Sequence, residues 1–396
     1  MKIKIKKIIK KFKVASYFNK KLKCFWYEYQ WKLLGSYYSE KKIDDNVIIP
    51  KFKNNGKPLL LIYIGTDYDQ DFSGFAQCLK TKASNVEFFY SSDGTYGQNF
   101  VDNNNEKVFY NKSVRKNNGI DLIDLIRDRI IDHNIVLLGQ MLNNYMDLSA
   151  LQFAKKNDVY VINISMDDKI YRNWKVVDGK TMGAIGLASC IDLTVTTTKE
   201  VVNWYRAHKY CAIYKALGSY KKLFYSDVDN ERDIDVLFVG NKYGQRGEFI
   251  DFLINNGVNV SAWGGGWENG YASFEKSIEL SARSKIIIGF GFVGHTKNLC
   301  TIKLRDFDAP LSGALYITQD SDVIRDVYSC DEVVLYKNKE ECLNLIIGYL
   351  ANNKRRLEIA KKGQDKVLEC YLWDDYLDDL FQITGIPHID KKNDII

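Results

Sequence analysis

Two glycine-rich loops and one short charged segment hold the side chains best suited to chemistry. The first loop, Val239-Gly240-Asn241-Lys242-Tyr243-Gly244-Gln245-Arg246-Gly247, ends an apolar run. Gly240 lets the backbone approach a ligand, and the helix expected next offers free N–H groups. With the cations of Lys242 and Arg246, that combination suits a diphosphate. It is neither G-x-G-x-x-G nor a Walker loop, which argues against ordinary dinucleotide or ATP binding. The second loop, Gly289 to Thr296, holds Gly291, Gly294 and His295. It leads into a charged half-helix between two apolar runs, ending at Gly313. There Lys303 and Arg305 can reach phosphate oxygens, and Asp308, one turn on, can accept hydrogen bonds from ribose hydroxyls. The plainer alternative is a solvated helix whose cations neutralise Asp306 and Asp308.

Other candidates lie apart from these loops. Asp67-Tyr68-Asp69 and Asp69-Gln70-Asp71 both satisfy D-x-D after the apolar run Leu59–Gly65. Solvated loop acids are the default there, with Asp67 an acceptor-side group or base as the functional alternative. Asp167 and Asp168 follow another apolar run and are expected to face a cleft, where like-charged neighbours raise one another's pKa. Trp263 and Trp267 flank three glycines and suit either stacking on a base or sugar, or packing. His295 alone of the four histidines stands in a glycine-rich loop. The eight cysteines are scattered without C-x-x-C spacing, so neither a zinc site nor a disulfide framework is expected. No metal or cofactor is expected.

These residues require elements to position them. From Lys57 onward, apolar runs such as Leu59–Gly65 and Val86–Tyr90 alternate with helical periodicity such as Asp121–Ile131 and Leu148–Lys156, the pattern of βαβ units and a parallel sheet. The series restarts at Ile234–Val239 after a polar stretch, Tyr220–Asp233. The expected fold is α/β, with two Rossmann-like doubly wound domains facing a cleft, where such folds bind ligands. The first domain is placed at 57–219, the second at 233–350, and helices packing back on both at 354–382.

The chain has 396 residues, 46% hydrophobic, and no apolar run of 18, so disordered and membrane-spanning classes are excluded. Residues 1–42 carry 13 lysines and two acids, Glu28 and Glu40, or +11; the remainder carries −5. A nucleic-acid-binding body is not expected on that balance. Residues 1–45 read as a basic amphipathic helical extension. Ile5, Ile8, Ile9, Phe12, Phe18, Leu22, Phe25, Trp26, Tyr29 and Leu33 recur at helical spacing opposite a lysine face. Such a helix suits an anionic membrane surface through residues 1–34, or packs on its own domain. A cytoplasmic protein, peripheral at the inner face of the membrane, is the resulting expectation.

Lys303 through Thr318, then Val333–Tyr336 and the helical tail, resemble the C-terminal half of the group 1 glycosyltransferases. The nearest branch is the spore-maturation CgeB-like one, whose helix carries R-x-F-E before a small-residue-Gly turn and a strand. Here the motif stands as Arg305-Asp306-Phe307-Asp308 with Gly313, and the resemblance covers about 233–382. It implies a GT-B fold and sugar transfer from a nucleotide-sugar donor held mainly by the second half. The acceptor would be a cell-surface or spore-coat glycan. By the same resemblance the Lys242/Arg246 loop holds donor phosphate. Two positions depart from the pattern: Asp308 replaces a glutamate, and Cys300 stands where many members carry another. A non-catalytic donor-binding protein and a nucleotide-sugar 2-epimerase are the competing readings.

Overall fold

The computed structural model describes residues 22, 24–43, 48–65, 74–90, 112–142, 146–166, 168–169, 174, 176–177, 180–181, 183–294 and 296–389. The first lobe contains β1 (Leu59–Gly65), β2 (Val86–Tyr90), β3 (Asn134–Gln140) and β4 (Tyr160–Ser165). After a small hairpin, β5 (Val176–Val177) and β6 (Lys180–Thr181), come β7 (Leu193–Thr196) and β8 (Ala212–Tyr214). The second lobe contains β9 (Ile234–Val239), β10 (Val260–Trp263), β11 (Ser284–Ile288), β12 (Leu315–Gln319) and β13 (Val334–Tyr336). The sheets run β2-β1-β3-β4-β7-β8 and β10-β9-β11-β12-β13, with parallel pairing throughout both. In each, the first strand sits between the second and third, so the order reverses beside it.

Burial on both faces explains the near-continuous apolar strands. Along β1, Leu61 and Tyr63 join one core cluster, while Leu60, Ile62 and Ile64 join the other. In the second lobe Leu237 faces one core, and Val236 and Phe238 face the other. Edge strand β8 has three residues, too short for a clear sequence signal. The helix expected from Asp121 begins at Lys112 instead. Its first residues, KSVRKNNGI, are polar and include Gly119, so their periodicity is weak. Tertiary contact favours them: Asn118 is buried, and a Cβ at Gly119 would lie 2.7 Å from Asp147 Oδ1.

The connector is pinned rather than loose. Arg232 donates to the carbonyls of Ala282 (2.9 Å), Ser284 (3.1 Å), Asp227 (3.0 Å) and Ser312 (2.8 Å). Helix Asn353–Cys370 packs beneath helix Arg305–Leu311 and β12. Helix Trp373–Thr384 then crosses to the first lobe, where Trp373 meets Phe75 edge-on at 5.1 Å and Asp378 pairs with Lys82 at 2.6 Å. The two strand crossings lie side by side, with Ser219 N–H on the Tyr371 carbonyl (2.9 Å) and Trp373 N–H on that of Ser219 (3.0 Å).

Residues 24–39 are helical, but the lysine-rich residues 1–21 lie outside the described chain. The helix is two-sided in a way the stripe from Ile5 to Leu33 does not capture. Trp31 and Tyr38, outside that stripe, are the buried pair; each lies 4.6 Å from the ring of Trp204. Leu22, Phe25, Trp26, Tyr29 and Leu33 are exposed instead. Among the described residues no helix is long and apolar enough to cross a membrane.

Trp373 is fully buried at the junction of the last helix with the first lobe. Trp373→Ala is expected to cost about 3–5 kcal/mol of stability, as large-to-small changes in such cores do. Urea unfolding followed by circular dichroism checks this, and a loss below about 1 kcal/mol would show that the helix contributes little to the lobe.

Candidate functional site

A cavity of about 680 Å³ opens at the carboxyl edge of the second sheet, where its strand order reverses. Val239, Gly240 and Asn241 enter it from the end of β9, and Arg246 from the helix that follows. Tyr271, Ser273 and Ser277 form another wall, and Lys303, Leu304, Arg305 and Asp308 complete it. Among the described residues the lining comes from the second lobe, except Phe224 of the connector.

Arg246 opens the helix Arg246–Asn255, yet its side chain is only 6% exposed. Phe238 ends on the inner face of β9, and Phe290 and Phe292 alternate beyond β11. With Tyr243 these rings enclose the guanidinium, at 4.1 Å for Tyr243, 5.5 Å for Phe238, 5.9 Å for Phe290 and 5.6 Å for Phe292. The negative ring faces partly offset its charge. Its Nη1 donates to the Asn241 carbonyl at 3.2 Å, and its Nε has no partner among the described residues. Burial pushes this guanidinium down to about 10, and the nearby Arg305 charge acts in the same direction.

Arg305 donates to the Val239 carbonyl and lies 5.1 Å from the Phe238 ring. Both arginines converge on Gly240: a Cβ there would sit 3.0 Å from Arg305 Nη2 and 3.4 Å from Arg246 Nη1. Gly240 also has φ of +151°, a conformation that glycine adopts without strain. Among the described residues neither arginine has a carboxylate partner within ion-pair distance. A buried guanidinium beside a second, half-buried one is costly without a counter-ion, so the site is complementary to a compact anion.

Asp306 does not serve as that counter-ion. It is buried, accepting from Tyr316 Oη at 2.6 Å and from the Lys303 N–H at 2.6 Å. This fixes the turn that carries Lys303 and Arg305. Burial raises the Asp306 pKa, while the Tyr316 and Lys303 hydrogen bonds oppose the rise. Asp308 lines the cavity and accepts from Ser219 Oγ at 2.6 Å, joining the site to the strand crossing.

The other expected residues are placed differently. Lys242 turns outward, 3.3 Å from Asp251 and over the Trp267 ring at 4.6 Å, because Gly247 leaves room for its stem. Gly291 is buried against Cys300, and Gly294 is exposed on the outer loop, so neither lines the cavity. Gly313, at φ +74°, ends helix Arg305–Leu311 and packs under Arg232 and Ser226, where any Cβ would clash at 2.6 Å. Burial pushes the Cys300 thiol up to about 11. Asp168 is buried rather than facing a cleft, held by Ser165 (2.7 Å), Thr196 (2.6 Å) and Tyr205 (3.3 Å). Trp267 donates to the Gly240 carbonyl at 2.7 Å and packs on Phe238, which supports the loop. Asp67, both D-x-D patterns, Asp167 and His295 lie outside the described residues. Among those described, no group of three or more His, Cys, Asp or Glu is placed to hold a metal.

Asn241, Tyr271 and Ser219 are of types that carry no distinctive signal in the sequence, and little there marks the ring box around Arg246. The latter had one visible trace, the aromatic residues at 238, 243, 290 and 292 beside both loops.

Residues 245–382 match the model of a family described as glycosyl transferase-like. That segment is about a third of the chain, and it contains Arg246, Lys303, Arg305 and Asp308. Comparison with curated proteins returns no match. Among solved structures, sucrose-phosphate synthase from Thermosynechococcus elongatus is 11% identical at a TM-score of 0.52, covering 83% of this chain and 98% of that one. A Listeria monocytogenes protein assigned as a UDP-N-acetylglucosamine 2-epimerase is 9% identical at 0.51, covering 82% and 95%. Anabaena HepE, in complex with UDP-glucose, is 10% identical at 0.50, covering 81% and 99%. The chain has a two-Rossmann-like fold. At these identities the likeness shows the fold alone.

The raised Asp306 pKa sets a pH dependence. A carboxyl that binds protons more tightly when folded loses stabilising effect as pH rises from its unfolded value, about 3.9, through its higher folded value. The stability advantage of the native chain over Asp306→Asn is therefore expected to be greatest in acid and to narrow towards neutrality. Urea titrations of both proteins across that range measure it, and a gap that widens with pH would contradict the assignment.

Proposed function

We propose that the protein is a glycosyltransferase of the GT-B type. It transfers a sugar from a nucleotide-diphosphate sugar to a cell-surface or spore-coat glycan acceptor, working at the cytoplasmic face of a membrane. One observation carries the reading: Arg246 and Arg305 converge on Gly240 without a carboxylate partner among the described residues. The glycosyl transferase-like match over residues 245–382 supports it, as does the GT-B-type fold. The CgeB-like branch is the finer placement within this proposal.

In this mechanism the diphosphate lies against Gly240, between the two guanidinium groups, with Lys303 at the edge. As the glycosidic bond to the leaving diphosphate lengthens, negative charge grows on the phosphate oxygens. Cations already fixed in the cavity wall stabilise that charge without reorganising, so they favour the transition state over the bound donor. Asp308 accepts from the ribose hydroxyls, with Ser219 holding its other lone pairs. Charge stabilisation comes from side chains here, so the reading requires no metal or cofactor. Asp67 or His295 serves as the group that takes the acceptor's proton.

A thermal-shift screen against uridine, guanosine, cytidine and thymidine diphosphate sugars tests donor binding. A ligand at 100 times its Kd stabilises by roughly 2.7 kcal/mol. One nucleotide sugar is expected to raise Tm, and Lys303→Ala/Arg305→Ala to abolish that rise and slow transfer by about 100-fold or more. No response to any donor, full activity in the double variant, or donor conversion that needs no acceptor would overturn the proposal.

A further inference from the structure

The helix over residues 24–39 is held on one side and bare on the other. On the held side Tyr38 stacks on Trp204 and hydrogen-bonds His208 at 2.9 Å. Nearly three turns nearer the N-terminus, Glu28 accepts the backbone N–H groups of Lys297 (2.8 Å) and Asn298 (3.0 Å) in the second lobe. The bare side presents Leu22 (64% exposed), Phe25 (67%), Trp26 (56%), Tyr29, Leu33 (52%) and Tyr37. Steps of three and four residues make these a single stripe. Phe25 and Trp26 both lie against Tyr29, at 6.0 and 6.4 Å, so these three rings form one aromatic patch within the stripe. Contiguous apolar patches of this kind mark contact sites.

Charge identifies the contact. Residues 1–42 carry 13 lysines against two acids, and one of those acids, Glu28, is engaged with the second lobe. A second copy would bring +11 against +11. Exposed tryptophan and tyrosine beside lysines instead match the headgroup zone of an anionic bilayer. We propose that the Leu22–Tyr37 face lies in the interface of an anionic membrane, and that the acceptor is a molecule carried by that membrane. The second clause rests on the glycosyl-transfer reading; the first does not.

The docking also reaches the cavity through a short chain of contacts. The loop that Glu28 clamps runs back to Thr296, whose carbonyl accepts from Gln245 Nε2 at 3.3 Å, and Arg246 is the next residue. The membrane-facing helix is thereby held in register with the arginine site.

Co-sedimentation of the full chain with vesicles tests this, using phosphatidylcholine alone or mixed with phosphatidylglycerol. Binding is expected with the anionic vesicles and to drop at least ten-fold in Phe25→Ser/Trp26→Ser/Leu33→Ser, whose side chains are exposed. Unchanged binding by that variant, no binding by the native chain, or a native dimer that the variant dissolves would each overturn the membrane assignment. The thermal shift with whichever nucleotide sugar the donor screen selects, run on both proteins, is expected to be equal. If neither responds to any nucleotide sugar while vesicle binding still depends on the stripe, the catalytic reading fails and the membrane surface stands.

Discussion

Two guanidinium groups pressed against one glycine set the terms for the second lobe. Water would solvate Arg246 far better than this site does, and Arg305 adds a like charge beside it. Ring faces from two strand ends and a carbonyl at 3.2 Å make up part of the loss. The backbone must pass close by, and a side chain at 240 would meet both cations. Asp306, on the same short helix, is turned into the core by Tyr316 and makes no ion pair with either arginine. An arrangement that costs stability and aims its charge into a cavity is intelligible as preorganisation for an anion.

The same cavity is coupled to the joint between lobes. Ser219 donates to Asp308 while its backbone pairs with Tyr371 and Trp373 at the second crossing. The chain therefore passes between lobes at two adjacent points, and one of them touches the site directly. Trp373, buried against Phe75, anchors the returning helix to the first lobe. On the opposite flank, Glu28 ties the N-terminal helix to the loop beside Gln245.

Much of the architecture was legible because burial on both faces demands uninterrupted apolar strands. Leu59–Gly65, Val86–Tyr90 and Ile234–Val239 have the bounds read from sequence. Helix Leu148–Lys156 does as well, helped by the Asp147 cap. Lys112–Ile120 and β8 were not legible, since their stability comes from neighbours rather than from local pattern. In the site, Arg246, Lys303, Arg305 and Asp308 could be named from charge beside glycine loops. Lys242 could not be separated from Arg246, because both are cations on one loop. Gly313 drew attention as part of a motif and instead closes a helix end over Arg232.

The sequence by itself determined the repeated strand–helix order, the placement of cations at strand ends and the lysine excess of the first 42 residues. These depend on local composition and spacing, which the chain carries without folding. Only the tertiary structure decided which cation is buried, which acid turns inward and which face of the N-terminal helix is bare. Each of those is a competition for a partner distant in sequence: Phe290 for Arg246, Tyr316 for Asp306 and Trp204 for Tyr38. Its outcome depends on burial and distance in the folded chain, quantities that spacing along the chain does not contain.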